Sequence, residues 1–311
     1  MLNVLLYNIY NIMIHYLILV HNNLDQLEML IKKLKTSNSE VYVHLDKKIK
    51  EFKKIKNIHY IENRQRISWG GTSMIKAEII WFSEIYKKMK KWDHIVLISW
   101  QCYPIKKIQY IENYIESLKN KSCMTYDAVG DFIGRLDKYF FYDNNFHLPK
   151  IIDDWIFALV WLFVKLGSPH RVPAINHAVW VIVNLFLPRR KYLINNYELY
   201  KWDQWMVLSY EHIKWILEFL ETKKWKKYLS SFEYTSCSDE MFFQIMMLND
   251  EKIKKEINNE LLWYIEREKE ANSPNTLTIK DLDKITKSDK LFARKFNINV
   301  DRAILEKLDE L

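Results

Sequence analysis

The sequence predicts an α/β chain with a mostly parallel central sheet, and three observations lead there. Short apolar runs of strand character alternate with longer runs whose apolar residues recur at helical spacing. Strand, helix and strand follow one another at the spacing of βαβ units, the crossover that parallel strands require. The 311 residues, 49% hydrophobic and 28% charged, have a globular composition and enough length to bury a sizeable core.

The first strand is "HYLILVHNN", residues 15–23, and it ends in a turn. "NLDQLEMLIKKL" then sets Leu24, Leu27, Ile31 and Leu34 on one helical face, with Asn23 as N-cap. "VYVHLDKK", residues 41–48, is the second strand and runs into Asp46. In "RISWGGTSMIKAEIIWFSEIYKKM" the pair Gly70–Gly71 opens a helix whose Ile75, Ile79, Phe82, Tyr86 and Met89 share a face. The chain has only five glycines, so two in succession mark a backbone constraint. "WDHIVLIS", residues 92–99, is the next strand. It delivers "WQCYP" to a strand's carboxyl end, where open α/β sheets hold their ligands. "YIENYIESL" is a further helix and "SCMTYD" a short strand.

Residues 151–191 change character. "WIFALVWLFVKL" and "HAVWVIVNLFL" are apolar runs of twelve and eleven residues. A bilayer-spanning helix needs roughly 20, so neither crosses alone. They form either a helical insertion packed on the core or an interfacial patch in which Arg189, Arg190 and Lys191 meet anionic headgroups. "WMVLSYEHIKWILEFLE" is a strand leading into an amphipathic helix. "SCSDEMFFQIMML" starts another helix, with Asp239 and Glu240 in its first turn. The remainder reads as polar and helical, with a turn at 272–274 and a basic segment "KLFARKF" near the end. No repeat and no long linker interrupts the chain, so a single elaborated domain is expected over 1–311.

Composition narrows the function. The net charge is +8, but the lysines lie in short runs with acids between them and form no arginine-aromatic stripe. That pattern argues against nucleic acid and fits a solvated surface, an anionic small ligand or an acidic membrane surface. Twelve Trp residues suit a sugar-binding or membrane-interface protein. Cys102, Cys123 and Cys237 are an odd set without a C-x-x-C pair, so a reduced compartment without structural disulfides is expected. The histidines show no metal-ligand spacing, and no protein-bound metal is expected. Residues 1–20 are apolar, but they carry Asn3, Asn8 and Asn11 and lack a basic start and a small-residue cleavage site. They are not read as a signal peptide.

Two clusters carry chemistry. Acids in a helix's first turn are favoured by the dipole, which is one reading of Asp239–Glu240. The other is that one carboxylate projects into a cleft as general base, since inverting displacement on a sugar carbon needs a single base. Lys290, Arg294 and Lys295, with Phe292 and Phe296 interleaved, are either a solvated helix face or fixed cations for a leaving diphosphate.

The segments "HYLILVHNN", "VYVHLDKK", "WGGTSMIKAEI", "LISWQCYPIK", "DQWMVLSYEHIKWIL", "SDEMFFQIMM" and "SPNTLTIKDLDKITKSDKLFARKF", in this order, resemble the core-2/I-branching enzymes. These are glycosyltransferase family 14, of β-1,6-N-acetylglucosaminyltransferases and peptide xylosyltransferases. The resemblance covers about residues 13–305 apart from the middle insertion, and the chain, short and cysteine-poor, looks like a bacterial member. It implies a GT-A-like nucleotide-sugar-binding fold, with residues 13–150 as the nucleotide-binding half and 192–311 as the acceptor and catalytic half. It implies inverting, metal-independent transfer from a UDP-sugar, with N-acetylglucosamine or xylose as the sugar. Glu240 matches the family's base, and its neighbour Asp239 belongs with Gln204 and Trp205 on the acceptor side. Lys295 matches a diphosphate-binding lysine, with Arg294 beside it, and Asp46 matches an aspartate near the nucleotide. Trp69, Gly70 and Gly71 match a Trp-Gly-Gly element of the donor cleft.

The chain also departs from the pattern. Where the family has Ser-Gly-Gln-Asp-Tyr-Pro, the donor-cleft rim here reads Ser99–Trp100–Gln101–Cys102–Tyr103–Pro104, without the glycine and the aspartate. Gly-Ser-Gln-Trp-Trp has become "WDQWM" after Lys201, and a phosphate-binding arginine falls on Trp263, leaving Arg267 as its nearest substitute. The expected activity is transfer of a sugar to a glycan or lipid-linked saccharide. The expected location is the inner face of a bacterial cytoplasmic membrane, with contact through 155–191. The alternative is a weakened or inactive relative that binds glycan or nucleotide at a membrane.

Overall fold

The computed structural model describes residues 12–128, 132–140, 143, 184–268 and 273–311. Its strands, in chain order, begin with β1 (Ile14–Val20), β2 (Ser39–Leu45), β3 (His59–Tyr60), β4 (His94–Ser99), β5 (Tyr103–Pro104) and β6 (Ser122–Met124). They continue with β7 (Asp127–Ala128), β8 (Tyr200–Lys201), β9 (Met206–Ser209), β10 (Ile257–Asn258), β11 (Trp263–Ile265) and β12 (Phe292–Arg294). A seven-stranded sheet runs β10-β6-β9-β4-β1-β2-β3. β1 pairs in parallel with β2 and β4, β2 with β3, and β6 with β10, while β9 alone runs antiparallel to its neighbours β4 and β6. The mostly parallel α/β sheet expected from the sequence is therefore present.

Every residue of β1 and of β4 is buried, as in strands covered on both faces. On one face α1 (Leu24–Leu34) buries Leu27, Leu30, Ile31 and Leu34, each contributing about 2 kcal/mol of transfer free energy. The Asn23 side chain caps this helix by accepting from the Gln26 amide at 3.3 Å. On the other face α2 (Ser73–Tyr86) buries Ile75, Ala77, Glu78, Trp81, Phe82 and Ile85. Its buried face differs from the expected Ile75–Ile79–Phe82–Tyr86–Met89 stripe because α2 is enclosed on more than one side. It packs on the sheet, on α5 (Tyr210–Leu220) and on the turn Ser238–Glu240. Between them in sequence lie α3 (Ile108–Ser117) and the short α4 (Ile133–Asp137).

Three local expectations are corrected. Asp239 and Glu240 stand in a 3-10 turn, Ser238–Glu240, that precedes the wholly buried helix α6 (Phe242–Leu248). The "KLFARKF" segment is not a solvated helix face but the strand β12, parallel to β11 and antiparallel to β5, with Phe292, Ala293 and Phe296 buried. Consecutive buried residues suit a strand enclosed between two neighbours and do not suit a solvated helix face. The C-terminal part is likewise a mixture of short strands and helices, ending in α7 (Ala303–Asp309).

Most of the apolar insertion, and residues 1–11, lie outside the described residues. Of the insertion's described end, Leu185, Phe186 and Leu187 are exposed. Arg190, expected to face headgroups, points inward instead. It donates to the Lys138 carbonyl at 2.9 Å and to Thr235 Oγ1 at 3.1 Å, over the Tyr139 ring. Among the described residues no helix is long and apolar enough to cross a membrane.

Candidate active site

From β1 the chain builds outward through β2 and β3, then returns to β4 on the opposite side of β1. Such a reversal opens a crevice at the strands' carboxyl ends. Because β9 is antiparallel, the segment leading into it reaches the same edge, as does the segment leaving β6. Here lies a cleft of about 650 Å³ whose lining includes Asp127, Phe132, Lys201, Trp202, Asp203 and Arg267, with Glu240.

Two backbone ties hold the turn that presents Glu240. The Cys237 amide donates to the Gly70 carbonyl at 2.9 Å, and the Trp202 amide to the Glu240 carbonyl at 3.1 Å. Gly70 has φ 75°, a left-handed conformation that glycine adopts without a Cβ penalty. The Trp-Gly-Gly element thus acts on the site through its backbone, while the Trp69 side chain is largely exposed. At Gly71 an added Cβ would fall 2.3 Å from the Asp143 carboxylate, which accepts from Thr72 Oγ1, Ser73 N and Ser73 Oγ at the start of α2.

Glu240 is half-buried and meets two cations. Its Oε2 accepts from Arg135 Nη1 at 2.8 Å and lies 3.6 Å from Lys201 Nζ. Lys201 Nζ also sits 3.5 Å from the centre of the Phe132 ring. Burial holds the Lys201 ammonium below its usual range, and the Glu240 charge opposes that shift. Asp203 links this group to a second set of cations. It accepts from Arg267 Nη2 at 3.2 Å and feels the charges of Arg294, Lys201 and Glu240. Burial raises its carboxyl above the usual range, with Arg267 pulling the other way. The Arg294 guanidinium lies 4.4 Å from the Trp205 ring centre, with Cys102 and Asp203 as its electrostatic neighbours, and its Nε meets no acceptor. Burial lowers the Arg294 proton affinity, opposed first by Cys102.

The structure therefore brings together Glu240, Asp203, Arg267 and Arg294, with Asp239 next to Glu240 in the same turn. Lys295 follows β12, its amide donating to the Asn275 carbonyl and its carbonyl accepting from Leu277. Asp46 sits elsewhere on the sheet edge, buried, its carboxylate accepting from the Lys48 amide at 2.8 Å and the Ile67 amide at 3.3 Å. It shapes the loop after β2.

Four residues expected at the rim or on the acceptor side lie beneath the surface. Trp100 is 3% exposed and Cys102 is fully enclosed, because the chain turns inward after β4 to pair β5 with β12. The Trp100 carbonyl accepts from the Gln26 side chain at 2.8 Å, and its Nε1 faces His21 Nδ1 at 3.4 Å. Gln101, partly exposed, lends its carbonyl to the Phe296 amide at 2.9 Å. Gln204 turns its amide inward to Glu78, and Trp205 packs under Arg294 against Trp263. Trp263, the position matched to a family arginine, is a buried residue stacked on Phe292. Sequence reasoning missed Arg135, Lys201, Trp202, Asp203 and Phe132. Trp202 and Asp203 did carry a signal, as a bulky and a charged residue where the resemblance implies glycine and serine. Among the described residues no three His, Cys, Asp or Glu side chains converge as a metal site.

Comparison with known proteins gives this cleft its context. The profile of the core-2/I-branching enzyme family matches residues 14–286, a span that holds Glu240 and Arg267 and stops short of Arg294 and Lys295. A xylosyltransferase of Ciona intestinalis is 22% identical over 317 residues, covering 94% of this chain and 33% of that protein. The chain thus spans about a third of that relative's length. With the family profile matching most of its length, the chain belongs to the core-2/I-branching enzyme family of glycosyltransferases.

Proposed function

We propose that the protein is an inverting glycosyltransferase that moves a sugar from a UDP-sugar to a glycan hydroxyl. The observation that carries this reading is Glu240, a carboxylate in a cleft lined with cations and aromatic rings. Glu240 takes the proton of the acceptor hydroxyl as that oxygen attacks the anomeric carbon and the bond to the diphosphate breaks. Arg267, Arg294 and Lys295 are the fixed cations for the departing UDP, in place of a metal ion. The sheet order, with one antiparallel strand beside a parallel β3-β2-β1-β4 half, supports a GT-A-like nucleotide-sugar fold. Family membership and the similarity to a xylosyltransferase favour N-acetylglucosamine or xylose as the transferred sugar. The exposed Leu185–Phe186–Leu187 stretch favours an acceptor and a working location at a membrane surface.

The E240Q variant tests the base. Turnover should fall by about 10²–10⁴-fold while UDP affinity is kept, because the amide retains the shape but accepts no proton. Unchanged turnover would remove Glu240 from the mechanism. A thermal-shift series with UDP, with and without EDTA, tests the donor and the metal-free leaving-group site together. Stabilisation by UDP should survive chelation. Its loss with EDTA would replace the cation cluster by a metal.

A further inference from the structure

Behind Glu240 the cleft wall holds two carboxyls that the transfer step leaves idle. Glu78, on the inner face of α2, has no exposed surface; its Oε1 accepts from the Gln204 amide, and its Oε2 meets no donor. Asp239 keeps some surface, yet its Oδ1 is shut from solvent and accepts no hydrogen bond. α2 packs directly on the Ser238–Glu240 turn, and the charge of Asp239 acts on Glu78. The nearby cations, Arg135 and Lys201, are both engaged with Glu240. Two carboxylates without a counter-ion in one enclosed site do not both ionise.

We propose that Glu78 and Asp239 are a buried proton-holding pair that acts on the reaction through Glu240. Glu78 stays a neutral acid, and the charge on Asp239 sets how readily Glu240 takes the acceptor's proton. Both are positioning residues, and the inference rests on the reading of Glu240 as the base. The groups facing the pair are Gln204 and the two carboxyls themselves, with Glu240 from the shared turn, the Cys237 thiol just before it and Arg135 from α4. Burial, reinforced by the Asp239 charge, raises Glu78 well above the carboxylate range despite the Gln204 amide. Burial and then the Glu240 charge push Asp239 up to about 7, against the pull of Arg135. That repulsion is mutual, so an ionised Asp239 offsets the hold of Arg135 and Lys201 on the Glu240 carboxylate. In the transfer step the proton passes from the acceptor hydroxyl to Glu240, and neither Asp239 nor Glu78 exchanges a proton with substrate.

Two readouts test this. Infrared spectra of the native chain should show a protonated carboxylic-acid carbonyl band that persists above neutral pH and is absent from E78Q. The native kcat should rise as pH passes through about 7. In D239N that rise should vanish, leaving kcat about tenfold lower on the alkaline side. E78Q, which imitates the neutral acid and keeps its bond to Gln204, should retain the rise. Absence of the acid band, or an unchanged pH profile in D239N, overturns the proposal. A native chain that shows the acid band but turns over no nucleotide sugar sinks the transferase reading instead and leaves Glu78 standing as a buried neutral acid.

Discussion

Trp100 and Cys102 stand where the resemblance implies a glycine and an aspartate, and burial decides what each can do. Trp100 fills the core between β4, α1 and the C-terminal segment, so its removal leaves a cavity that the neighbouring backbone cannot close. W100A should lose about 3–5 kcal/mol of stability. Cys102 instead stands beside the Arg294 guanidinium, an enclosed cation with an unpartnered Nε. A carboxylate at position 102 gains a charge partner that offsets its own desolvation. C102D should therefore unfold within about 1–2 kcal/mol of the native chain in urea, far from the loss in W100A. If C102D is as unstable as W100A, Arg294 does not reach that side chain. Restoring glycine and aspartate together combines a cavity with a tolerated change, so the single variant C102D is the one that reports on the site.

The three-stranded sheet β11-β12-β5 is the element that joins two stretches of the chain far apart in sequence. It ties the residues just after β4 to the segment carrying Arg294 and Lys295. Phe292 is fully buried in it and stacks on Trp263 with ring centres 5.3 Å apart. F292A should cost about 3–5 kcal/mol and also weaken UDP binding, because the strand that fixes Arg294 loses its anchor. Retained UDP affinity in F292A would mean the donor does not use this segment. This sheet was not legible in the sequence, whereas β1, β2 and β4 were. Those three are long apolar runs between helices of clear period. "KLFARKF" spaces its apolar residues in a way that also fits a helix, and only its long-range partners make it a strand. The same limit applies to the site. Glu240 was singled out from a local motif and Arg267 only as the nearest substitute for an arginine expected at Trp263, while the Arg135–Glu240 pair spans 105 positions and leaves no local trace. Trp100 at a strand end reads as a rim residue until the inward turn to β5 is known.

At the scale of the whole molecule, buried titratable groups set how stability depends on pH. His44, His94 and His212 are all enclosed, and burial lowers each from an ordinary value of 6.5 to about 4. The unfolded chain protonates them below 6.5 while the folded chain does not, so their contribution is lost as pH falls toward 4. Asp239 and Glu78 act in the opposite sense. Their folded values are raised, so their contribution is full below the ordinary carboxylate range and is lost as pH rises, through about 7 for Asp239. Between about pH 4.5 and 6.5 the three imidazoles outweigh the two carboxyls by about one proton, which makes the acid limb shallow. Above that window only the carboxyls remain, and stability falls again on the alkaline side. The unfolding midpoint should therefore peak at about pH 6. H94Q keeps a donor for the Lys121 carbonyl, which lies 3.1 Å from His94 Nε2, but removes one titrating imidazole. It should flatten the acid limb by about 1.4 kcal/mol per pH unit and leave the alkaline limb unchanged, whereas E78Q should steepen the acid limb by the same amount and flatten the alkaline one. Urea midpoints for the three chains across the range separate the two effects. A native chain whose stability rises steadily with pH through 8 would show that the carboxyl pair is already ionised in the fold, and stability that falls with rising pH from about 4.5 upward would show that the imidazoles reach solvent.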